Sequence, residues 1–163
     1  MKRIILLIGV PGSGKSTLAQ KLTEKGFHRM CADDIREELY GDPIIQGDVK
    51  EVFAIFFKRL DEALAEGKDL AIDNTNLNPK QRQPIIERAR ASGYSDIQLW
   101  LMDTPLDICI TRNSARSRVV PDEVIASAHG ELNRAGRPKR SEGKIIIIRP
   151  GKGEHEFLFF PQS

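Results

Sequence analysis

Residues 9–16 read Gly-Val-Pro-Gly-Ser-Gly-Lys-Ser and directly follow the apolar run of residues 4–8. In such a phosphate-binding loop (P-loop), the glycines let backbone N–H groups turn inward around phosphate oxygens. Lys15 can reach the β- and γ-phosphates, and the Ser16 hydroxyl can ligate Mg²⁺. The helix that follows adds the positive end of its dipole. The pattern predicts a nucleoside triphosphate site formed by Gly12, Ser13, Gly14, Lys15, Ser16 and Thr17.

The stretch Asp33-Asp34-Ile35-Arg36 follows the second predicted strand. Ligands of doubly wound sheets gather at the carboxyl ends of the strands, so we expect this stretch beside the P-loop. A carboxylate there can accept the proton of a hydroxyl group during phosphoryl transfer. Arg36, three residues beyond Asp33, offers a forked donor for an anionic acceptor. The alternative is that Asp33 or Asp34 caps the helix predicted over residues 35–40.

A third apolar strand ends in Asp73-Asn74-Thr75-Asn76. An acid at the end of a strand next to the P-loop strand commonly holds the Mg²⁺ shell, usually through water. Aspartate is also a common turn residue, so both interpretations of Asp73 stay open. Thr75 and Asn76 are neutral donors that suit phosphate or sugar oxygens.

Three guanidinium groups, those of Arg112, Arg116 and Arg118, fall within seven residues at the end of a predicted helix. Arg112 and Arg116 are four residues apart and would face the same way on a helix. From there they could close over the triphosphate and neutralise charge on the transferred group, as arginine fingers do. The alternative is a basic surface face. Together, the acid, the arginines and the P-loop favour a kinase over a switch or a motor.

Strand patterns alternate with helical patterns along the chain. Strands are predicted over residues 2–9, 26–31, 69–73, 97–102 and 144–149, and helices over 16–25, 48–66 and 79–92. This alternation implies crossover connections and a parallel sheet of about five strands with helices on both faces. The expected fold is an α/β P-loop NTPase with a helical lid at about residues 112–121. Pro105 and Pro121 are each expected at a first helical position.

Two apolar groups lie outside these motifs. The phenylalanines of residues 48–66 recur at helical spacing and are expected in the core rather than as a platform for stacking bases. The pattern weakens after residue 137. In the tail, residues 137–163, the apolar residues 157–160 are expected to form an edge strand or a cap on the core.

The chain has 163 residues, of which 40% are hydrophobic and 29% charged, as expected for one domain over residues 1–163. No apolar run approaches the roughly 20 residues that cross a bilayer. Residues 4–10 run straight into the P-loop without a cleavage site, so they indicate a strand rather than a signal peptide. Cys31 and Cys109 form no ligand or redox motif, which favours a reduced, cytoplasmic compartment. The net charge of +2 neither proves nor excludes a nucleic-acid partner.

Four blocks in this order resemble the kinase domain of the phage-type polynucleotide 5′-kinase/3′-phosphatase family. They are the P-loop, Asp33-x-x-Arg36, Thr75-Asn76-Leu77-Asn78-Pro79, and Arg112-Asn113-Ser114-x-Arg116 followed by Val120-Pro121. The match covers about residues 1–135. Many families share the P-loop, whereas the other three blocks are specific in combination.

The resemblance implies transfer of the ATP γ-phosphate to a 5′-hydroxyl of DNA or RNA, with Mg²⁺. Asp33 would be the general base, and Arg36 and Thr75 would hold the acceptor's first internucleotide phosphate. Arg116 would be the lid arginine on the donor phosphates. The positions that flank the acceptor's terminal base in the family correspond to Val120, Pro121 and Val124. Apolar contact there would bind any base, although ordinary packing at a helix start explains these residues equally well.

This chain departs from the family pattern in three ways. Asn74 stands where the family has aspartate, and Asp73 comes one place earlier, so Asp73 is expected in the metal shell rather than as a support for Arg36. The stretch between Arg116 and Val120 is one residue shorter. The chain also contains no Asp-x-Asp motif of a 3′-phosphatase, so a separate phosphatase or ligase is a possible partner.

Two other functions remain open from the sequence. One is a P-loop kinase of small molecules such as a sugar acid, a nucleoside or an antibiotic, for which Arg36 is equally suitable. The other is a nucleotide-binding module without catalysis. DNA and RNA acceptors are not distinguished, because a contact to a 2′-hydroxyl depends on geometry.

Overall fold

The computed structural model describes residues 2–43, 45, 47–116, 119–153 and 155–163. Within these residues the strands are β1 (Arg3–Ile8), β2 (His28–Met30), β3 (Leu70–Ile72), β4 (Asp96–Met102), β5 (Lys144–Pro150) and β6 (Phe157–Pro161). The helices are α1 (Lys15–Glu24), α2 (Ala32–Tyr40), α3 (Val49–Ala65), α4 (Pro79–Ala91), α5 (Leu106–Ser114) and α6 (Asp122–Glu131), and a π-helical turn, Leu132–Gly136, continues α6.

The described strands form one sheet in the order β2-β3-β1-β4-β5-β6. All neighbours pair in parallel except β5 and β6, which form an antiparallel hairpin at one edge. The predicted parallel α/β sheet is therefore confirmed, with one more strand than expected. That strand is the apolar tail, and the expectation of an edge strand there was right.

The sheet buries a separate apolar cluster on each face. Side chains alternate along β1, so Ile4, Leu6 and Ile8 join the cluster under α2, α3 and α4, whereas Ile5 and Leu7 join the one under α1. Continuous apolar strands are what a parallel sheet covered on both faces requires. The expectation of helices on both faces is confirmed.

Helix α3 begins where Asp48 caps it, since the Asp48 side chain accepts hydrogen bonds from the backbone N–H groups of Lys50 and Glu51. Its phenylalanines Phe53, Phe56 and Phe57 pack edge to face or tilted, with ring centroids 5.3–6.3 Å apart. Phe56 is fully buried. These rings belong to the core, as predicted.

The predicted caps agree only in part with the structure. Asn78 caps α4 as expected, accepting from the Gln81 N–H group. Pro105 and Pro121 lie one position earlier than predicted, because each is the residue that precedes the first helical one. Among the described helices, none combines the length and apolarity needed to cross a bilayer.

Candidate active site

The P-loop lies between the end of β1 and the start of α1, at the point where the chain order of the sheet reverses. Successive strands β2 and β3 lie on one side of β1, and β4 to β6 lie on the other. Parallel sheets of this kind bind ligands in the crevice at such a reversal. The first turn of α1 points its free N–H groups into the same crevice, which favours an anion.

Two glycines give the loop its shape. Gly12 and Gly14 have φ values of 84° and 96°, which side chains rarely adopt. A Cβ atom on Gly12 would lie 2.2 Å from the carbonyl oxygen of Cys109, so a larger residue there would displace α5. Ser13 between them is 1% exposed, and its carbonyl accepts a hydrogen bond from Thr104. Its carbonyl therefore supports the loop, while its side-chain hydroxyl is buried without a hydrogen-bond partner among the described residues and does not line the crevice.

Asp73 connects the loop to the two strands beside it. Lys15 Nζ lies 2.5 Å from Asp73 Oδ1, and Arg29 from β2 holds Oδ2 through Nη2 at 2.7 Å. Burial alone would raise the pKa of Asp73, but the two cations outweigh it and lower this pKa below its ordinary value. The carboxylate is therefore ionised, and both of its oxygens already have a cationic partner. A role in the metal shell remains a prediction for Asp73.

Mg²⁺ needs few protein ligands in such a site. Among the described residues no three of His, Cys, Asp and Glu come together as a metal site would require. Mg²⁺ usually keeps several waters and binds through one or two protein groups plus the substrate's phosphates. The Ser16 hydroxyl, in the first turn of α1, lines the crevice where such phosphates would lie. The position of Ser16 therefore fits the predicted metal role, whereas the role of Asp73 stays a prediction.

The crevice is a cavity of about 670 Å³ that runs along the carboxyl ends of the strands. Most of the predicted site residues line it: Gly12, Gly14, Lys15, Ser16, Thr17, Asp33, Thr75, Arg112, Arg116, Val120, Pro121 and Val124. Six residues without a predicted role also line it: Val10 and Pro11 of the P-loop, Ala115 between the two arginines, and Pro43, His155 and Phe157 from outside the predicted motifs. A second hollow of about 410 Å³ lies between Thr23 and Asp69 and contains none of the predicted residues.

Asp33 and Asp34 both lie in the first turn of α2, which begins after Cys31. The alternative that either of them caps this helix is wrong, since Cys31 occupies the cap position and no side chain caps the helix. Asp33 lines the cavity and its side chain is 62% exposed. Asp34 instead pairs with Arg29 at 2.7 Å. Of these two aspartates, Asp33 is the one that lines the cavity, and its role as general base stays a prediction.

Arg36 lies beside the cavity but does not line it. Its Nη1 donates to Asp33 Oδ1 at 2.7 Å, and its guanidinium lies 5.9 Å from the centroid of the Phe53 ring. The side chain is only 11% exposed, and Nε is buried without a hydrogen-bond partner among the described residues. The pair Asp33–Arg36 thus exists as the spacing predicted, whereas contact of Arg36 with an acceptor remains a prediction.

The segment after β3 positions Asp33 and the P-loop. The side chain of Asn74 accepts a hydrogen bond from the Ala32 N–H group at 2.9 Å, which fixes the start of α2 against the end of β3. The Thr75 carbonyl accepts from Gly9 N at 3.1 Å, while Thr75 also lines the cavity. Asn76 is 2% exposed and donates to the Leu7 carbonyl. The prediction that Asn76 contacts phosphate or sugar is therefore wrong.

The lid arginines reach the cavity in a different way from that predicted. Helix α5 ends at Ser114, so Arg116 lies beyond it and does not share a helical face with Arg112. Both line the cavity nevertheless. Arg118, the third predicted arginine, lies outside the described residues.

Asn113 closes the lid turn between these arginines and the apolar wall. It is fully buried, its amide donates to the Val120 carbonyl at 2.6 Å, and its carbonyl oxygen accepts from Val120 N at 3.1 Å. Val124 is 51% exposed, and Pro121 is exposed as well. Packing at a helix start does not explain these two side chains, because they face the cavity and solvent rather than the core.

Two features of the site have little signal in the sequence. Arg82 on α4 is fully buried, pairs with Glu142, and donates to the carbonyls of Asn76 and Gly136 at 2.7 Å each. A lone arginine in a helical pattern gives no sign of such a network. Phe157 reaches the P-loop only because β5 and β6 form a hairpin.

Both thiols are free and buried. Burial raises the pKa of Cys109 to about 11, and it also raises the pKa of Cys31, with the nearby Asp73 as a further cause. The thiols therefore stay protonated near neutral pH and are poor nucleophiles or metal ligands.

Comparisons with known proteins place this site in a family. The chain is 28% identical over 138 residues to a putative bifunctional polynucleotide kinase/RNA ligase of Autographa californica nuclear polyhedrosis virus, covering 74% of this chain and 19% of that protein. It is 25% identical over 141 residues to the L-seryl-tRNA(Sec) kinase of Methanococcus maripaludis, covering 82% and 53%. The chain thus spans about half or less of the length of these relatives.

Solved structures show the same fold. A chain of the Pnkp1/Rnl/Hen1 RNA repair complex superposes with a TM-score of 0.70 at 23% identity, covering 80% of this chain and 44% of that one. A gluconokinase from Sinorhizobium meliloti superposes with a TM-score of 0.59 at 18% identity, covering 91% and 82%. The chain therefore shares its fold both with a component of an RNA repair complex and with a gluconokinase. The family model described as an AAA domain matches residues 4–135, which include all the residues lining the cavity except His155 and Phe157. The chain therefore belongs to that AAA domain family of P-loop proteins.

Proposed function

We propose that this chain is an ATP- and Mg²⁺-dependent kinase that phosphorylates the 5′-hydroxyl ends of polynucleotides, DNA or RNA. The observation that carries the proposal is the shared cavity. One carboxylate, Asp33, and the phosphate-binding groups Lys15, Arg112 and Arg116 line the same 670 Å³ space. Phosphoryl transfer to a hydroxyl needs this combination and little else from the protein.

The reaction would be a single in-line displacement. The acceptor's 5′-oxygen attacks the γ-phosphorus, the bond from that phosphorus to the bridging oxygen breaks, and ADP leaves. Asp33 accepts the hydroxyl proton. Lys15 leaves Asp73 for the β- and γ-phosphates, and Arg112 and Arg116 neutralise charge on the transferred group. Mg²⁺, held by Ser16 and through water by Asp73, would supply further charge neutralisation between the phosphates.

Lys15 can make this move at a modest cost, because Asp73 keeps a second cation. Arg29 holds the other carboxylate oxygen through Nε at 2.8 Å and Nη2 at 2.7 Å. A buried carboxylate left without any partner would be strongly destabilising. With Arg29 in place, Asp73 stays ionised and oriented while Lys15 binds phosphate.

Apolar groups beside Asp33 support a nucleoside as the acceptor. Pro43, Val120, Pro121 and Val124 line the cavity together with Asp33 and Thr75. A sugar acid is recognised by hydrogen bonds and charge, whereas a nucleobase presents a flat apolar face that aliphatic side chains can cover without reading its identity. Arg36, already paired with Asp33, is near enough to offer its guanidinium to the phosphate that follows the terminal nucleoside.

A basic surface near the cavity favours a polymer over a small acceptor. Four cations between residues 134 and 140 are exposed, namely Arg134, Arg137, Lys139 and Arg140. Arg82 bridges the Gly136 carbonyl to that of Asn76, one residue from Thr75 in the cavity wall. The basic segment, residues 134–140, therefore passes beside the cavity wall at Gly136, where Arg134 and Arg137 could contact the phosphates of a longer acceptor, before the chain runs toward the start of β5.

The test supplies γ-labelled ATP with a single-stranded 5′-hydroxyl oligonucleotide, as DNA and as RNA. We expect label at the 5′ end, and none on the same oligonucleotide when its 5′ end is already phosphorylated. Gluconate, nucleosides and an aminoglycoside serve as competing acceptors. Label on one of these small molecules and none on the oligonucleotides would overturn the polynucleotide proposal and leave a small-molecule kinase.

We also propose that a separate ligase or phosphatase acts with this kinase in the cytoplasm. One viral relative is named as a kinase joined to an RNA ligase, and this chain spans 19% of it. A 5′-phosphate is the group that a polynucleotide ligase needs. Co-purification with a ligase or a phosphatase activity would test the partnership.

A further inference from the structure

The β5–β6 hairpin brings the tail of the chain back to the P-loop. Phe157 is the first residue of β6 and pairs with Pro150 at the end of β5. Its Cε1 atom lies 3.0 Å from the position that a Cβ atom on Gly14 would occupy. Phe157 and His155 line the same cavity as Lys15, although both lie beyond the residues 4–135 that the family model matches.

A lysine of α1 fixes this ring in place. Lys21 Nζ donates to the His155 carbonyl at 2.9 Å and lies 5.3 Å from the centroid of the Phe157 ring. Arg112 approaches the same glycine, with Nη1 3.4 Å from the Gly14 Cβ position. An aromatic ring and a planar cation are therefore neighbours at the entrance to α1.

The order of the sheet decides which part of a ligand reaches them. Asp33 follows β2 at one edge, the P-loop follows β1 in the middle, and Phe157 belongs to β6 at the other edge. A nucleoside triphosphate whose phosphates lie on the P-loop and whose γ-phosphate points toward Asp33 must extend its base toward β6. Aromatic rings and guanidinium groups are the side chains that stack on nucleobases.

We propose that Phe157 forms the stacking surface for the base of the donor nucleotide, next to the arginine that contacts its phosphates. The tail is then part of the active site. This inference rests on the proposed function only in taking a nucleoside triphosphate as the donor, and it does not depend on the acceptor. Phe157 gives the base a ring to stack against, and Lys21 keeps the hairpin in the position that presents it.

The test measures binding without any acceptor, by calorimetry on the full chain with a non-hydrolysable ATP analogue and with inorganic tripolyphosphate. For Phe157→Ala we expect affinity for the ATP analogue to fall about tenfold, as loss of one stacked base contact predicts. Affinity for tripolyphosphate, which has no base, should not change. Phe157→Trp should bind the analogue at least as well as the original chain.

Phe159→Ala is the matched control. Phe159 lies two residues further along the same strand and contacts Trp100, with ring centroids 5.5 Å apart, rather than the P-loop. We expect its affinities for both ligands to be unchanged. If Phe157→Ala does not fold, Phe157→Leu keeps apolar packing on Gly14 without the ring, and it should show the same selective loss.

Two results would overturn the inference. Equal losses for the ATP analogue and tripolyphosphate would mean that Phe157 only supports the P-loop. Unchanged affinity for both would mean that the base lies elsewhere. Neither result bears on the acceptor, because a chain that still labels a 5′-hydroxyl oligonucleotide keeps the proposed function in either case.

Discussion

Asp33 and Asp34 are neighbours of the same chemical type, yet the fold gives them different surroundings. Asp33 lines the cavity and accepts one hydrogen bond from Arg36, so one oxygen remains available. Asp34 is held by Arg29, the same residue that holds Asp73. Each aspartate has one oxygen paired with an arginine, so at the scale of single residues they differ in that only Asp33, of these two, lines the cavity.

This difference makes a sharp prediction. Asp33→Asn should lower the rate of phosphoryl transfer by roughly 10²- to 10⁴-fold, because an amide cannot accept the hydroxyl proton. The affinity for ATP should stay nearly unchanged, since Asp33 does not belong to the P-loop. The measurements are single-turnover rates with labelled ATP and the binding affinity of an ATP analogue.

Asp34→Asn is the control for that experiment, because it changes the same atoms one residue away. We expect its transfer rate to stay within a few-fold of the original. A rate for Asp33→Asn as high as that of Asp34→Asn would remove Asp33 from the mechanism.

At the scale of elements, one buried side-chain amide holds the end of α5 to the segment that precedes α6. Asn113 lies on α5, and its two hydrogen bonds to Val120 set the distance between Arg116 and the apolar wall. The sequence predicts this lid from its arginines, but the helix ends before Arg116. What brings Arg112 and Arg116 to one cavity is therefore the turn rather than the helical repeat.

Asn113→Ala tests this role. Removing a buried amide that bonds the backbone twice should lower the free energy of unfolding by about 1–3 kcal/mol. Transfer should also slow, because Arg116 is no longer positioned over the donor phosphates. Urea unfolding and the transfer rate at saturating ATP are the measurements.

Ser114→Ala serves as the comparison for Asn113→Ala, since the Ser114 hydroxyl donates to the Thr111 carbonyl within α5 and, among the described residues, does not bond the segment at Val120. It should leave the transfer rate unchanged. A stable Asn113→Ala variant with the original rate would show that the turn does not position the arginine.

At the scale of the whole molecule, the charges are distributed unevenly around a nearly neutral chain. The net charge is only +2, yet four exposed cations lie within residues 134–140, a segment that passes beside the cavity wall at Gly136. A polynucleotide longer than the cavity can use them, whereas a single nucleotide cannot. We therefore expect a longer polynucleotide acceptor to bind more tightly than a single nucleotide.

The double variant Arg134→Glu and Arg137→Glu, at the end of the segment that lies beside the cavity wall, tests that expectation. It should raise the KM for a 12-nucleotide acceptor several-fold and reduce the salt dependence of binding by about one or two counterions. The KM for a nucleoside 3′-phosphate and its kcat should not change.

A control with the same change in charge is available at the opposite edge of the sheet. Lys25 and Lys68 are exposed near the amino ends of the strands, so Lys25→Glu with Lys68→Glu should leave both KM values as they were. If both double variants raised the KM for the 12-nucleotide acceptor equally, the basic segment would act only through the net charge of the protein and not through contact with the acceptor.

Local patterns were enough for much of this protein. The P-loop, the strands β1 to β5, the helices α1, α3 and α4 and the cap Asn78 are all visible in the sequence, because short-range periodicity and capping chemistry determine them. The clustering of Asp33, Thr75 and the lid residues could be predicted as well, since strand ends of a parallel sheet meet at one edge.

Contacts between distant residues could not be predicted in this way. Asn76 is spaced like a ligand but bonds Leu7, Arg82 looks like a surface residue but is fully buried, and Phe157 looks like core but lines the cavity. By itself the sequence therefore determined which residues could do chemistry and at which edge of the sheet. Only the tertiary structure decided which partner each of these residues contacts. Their hydrogen bonds and burial depend on atoms that lie from about 50 to more than 140 residues away in the sequence.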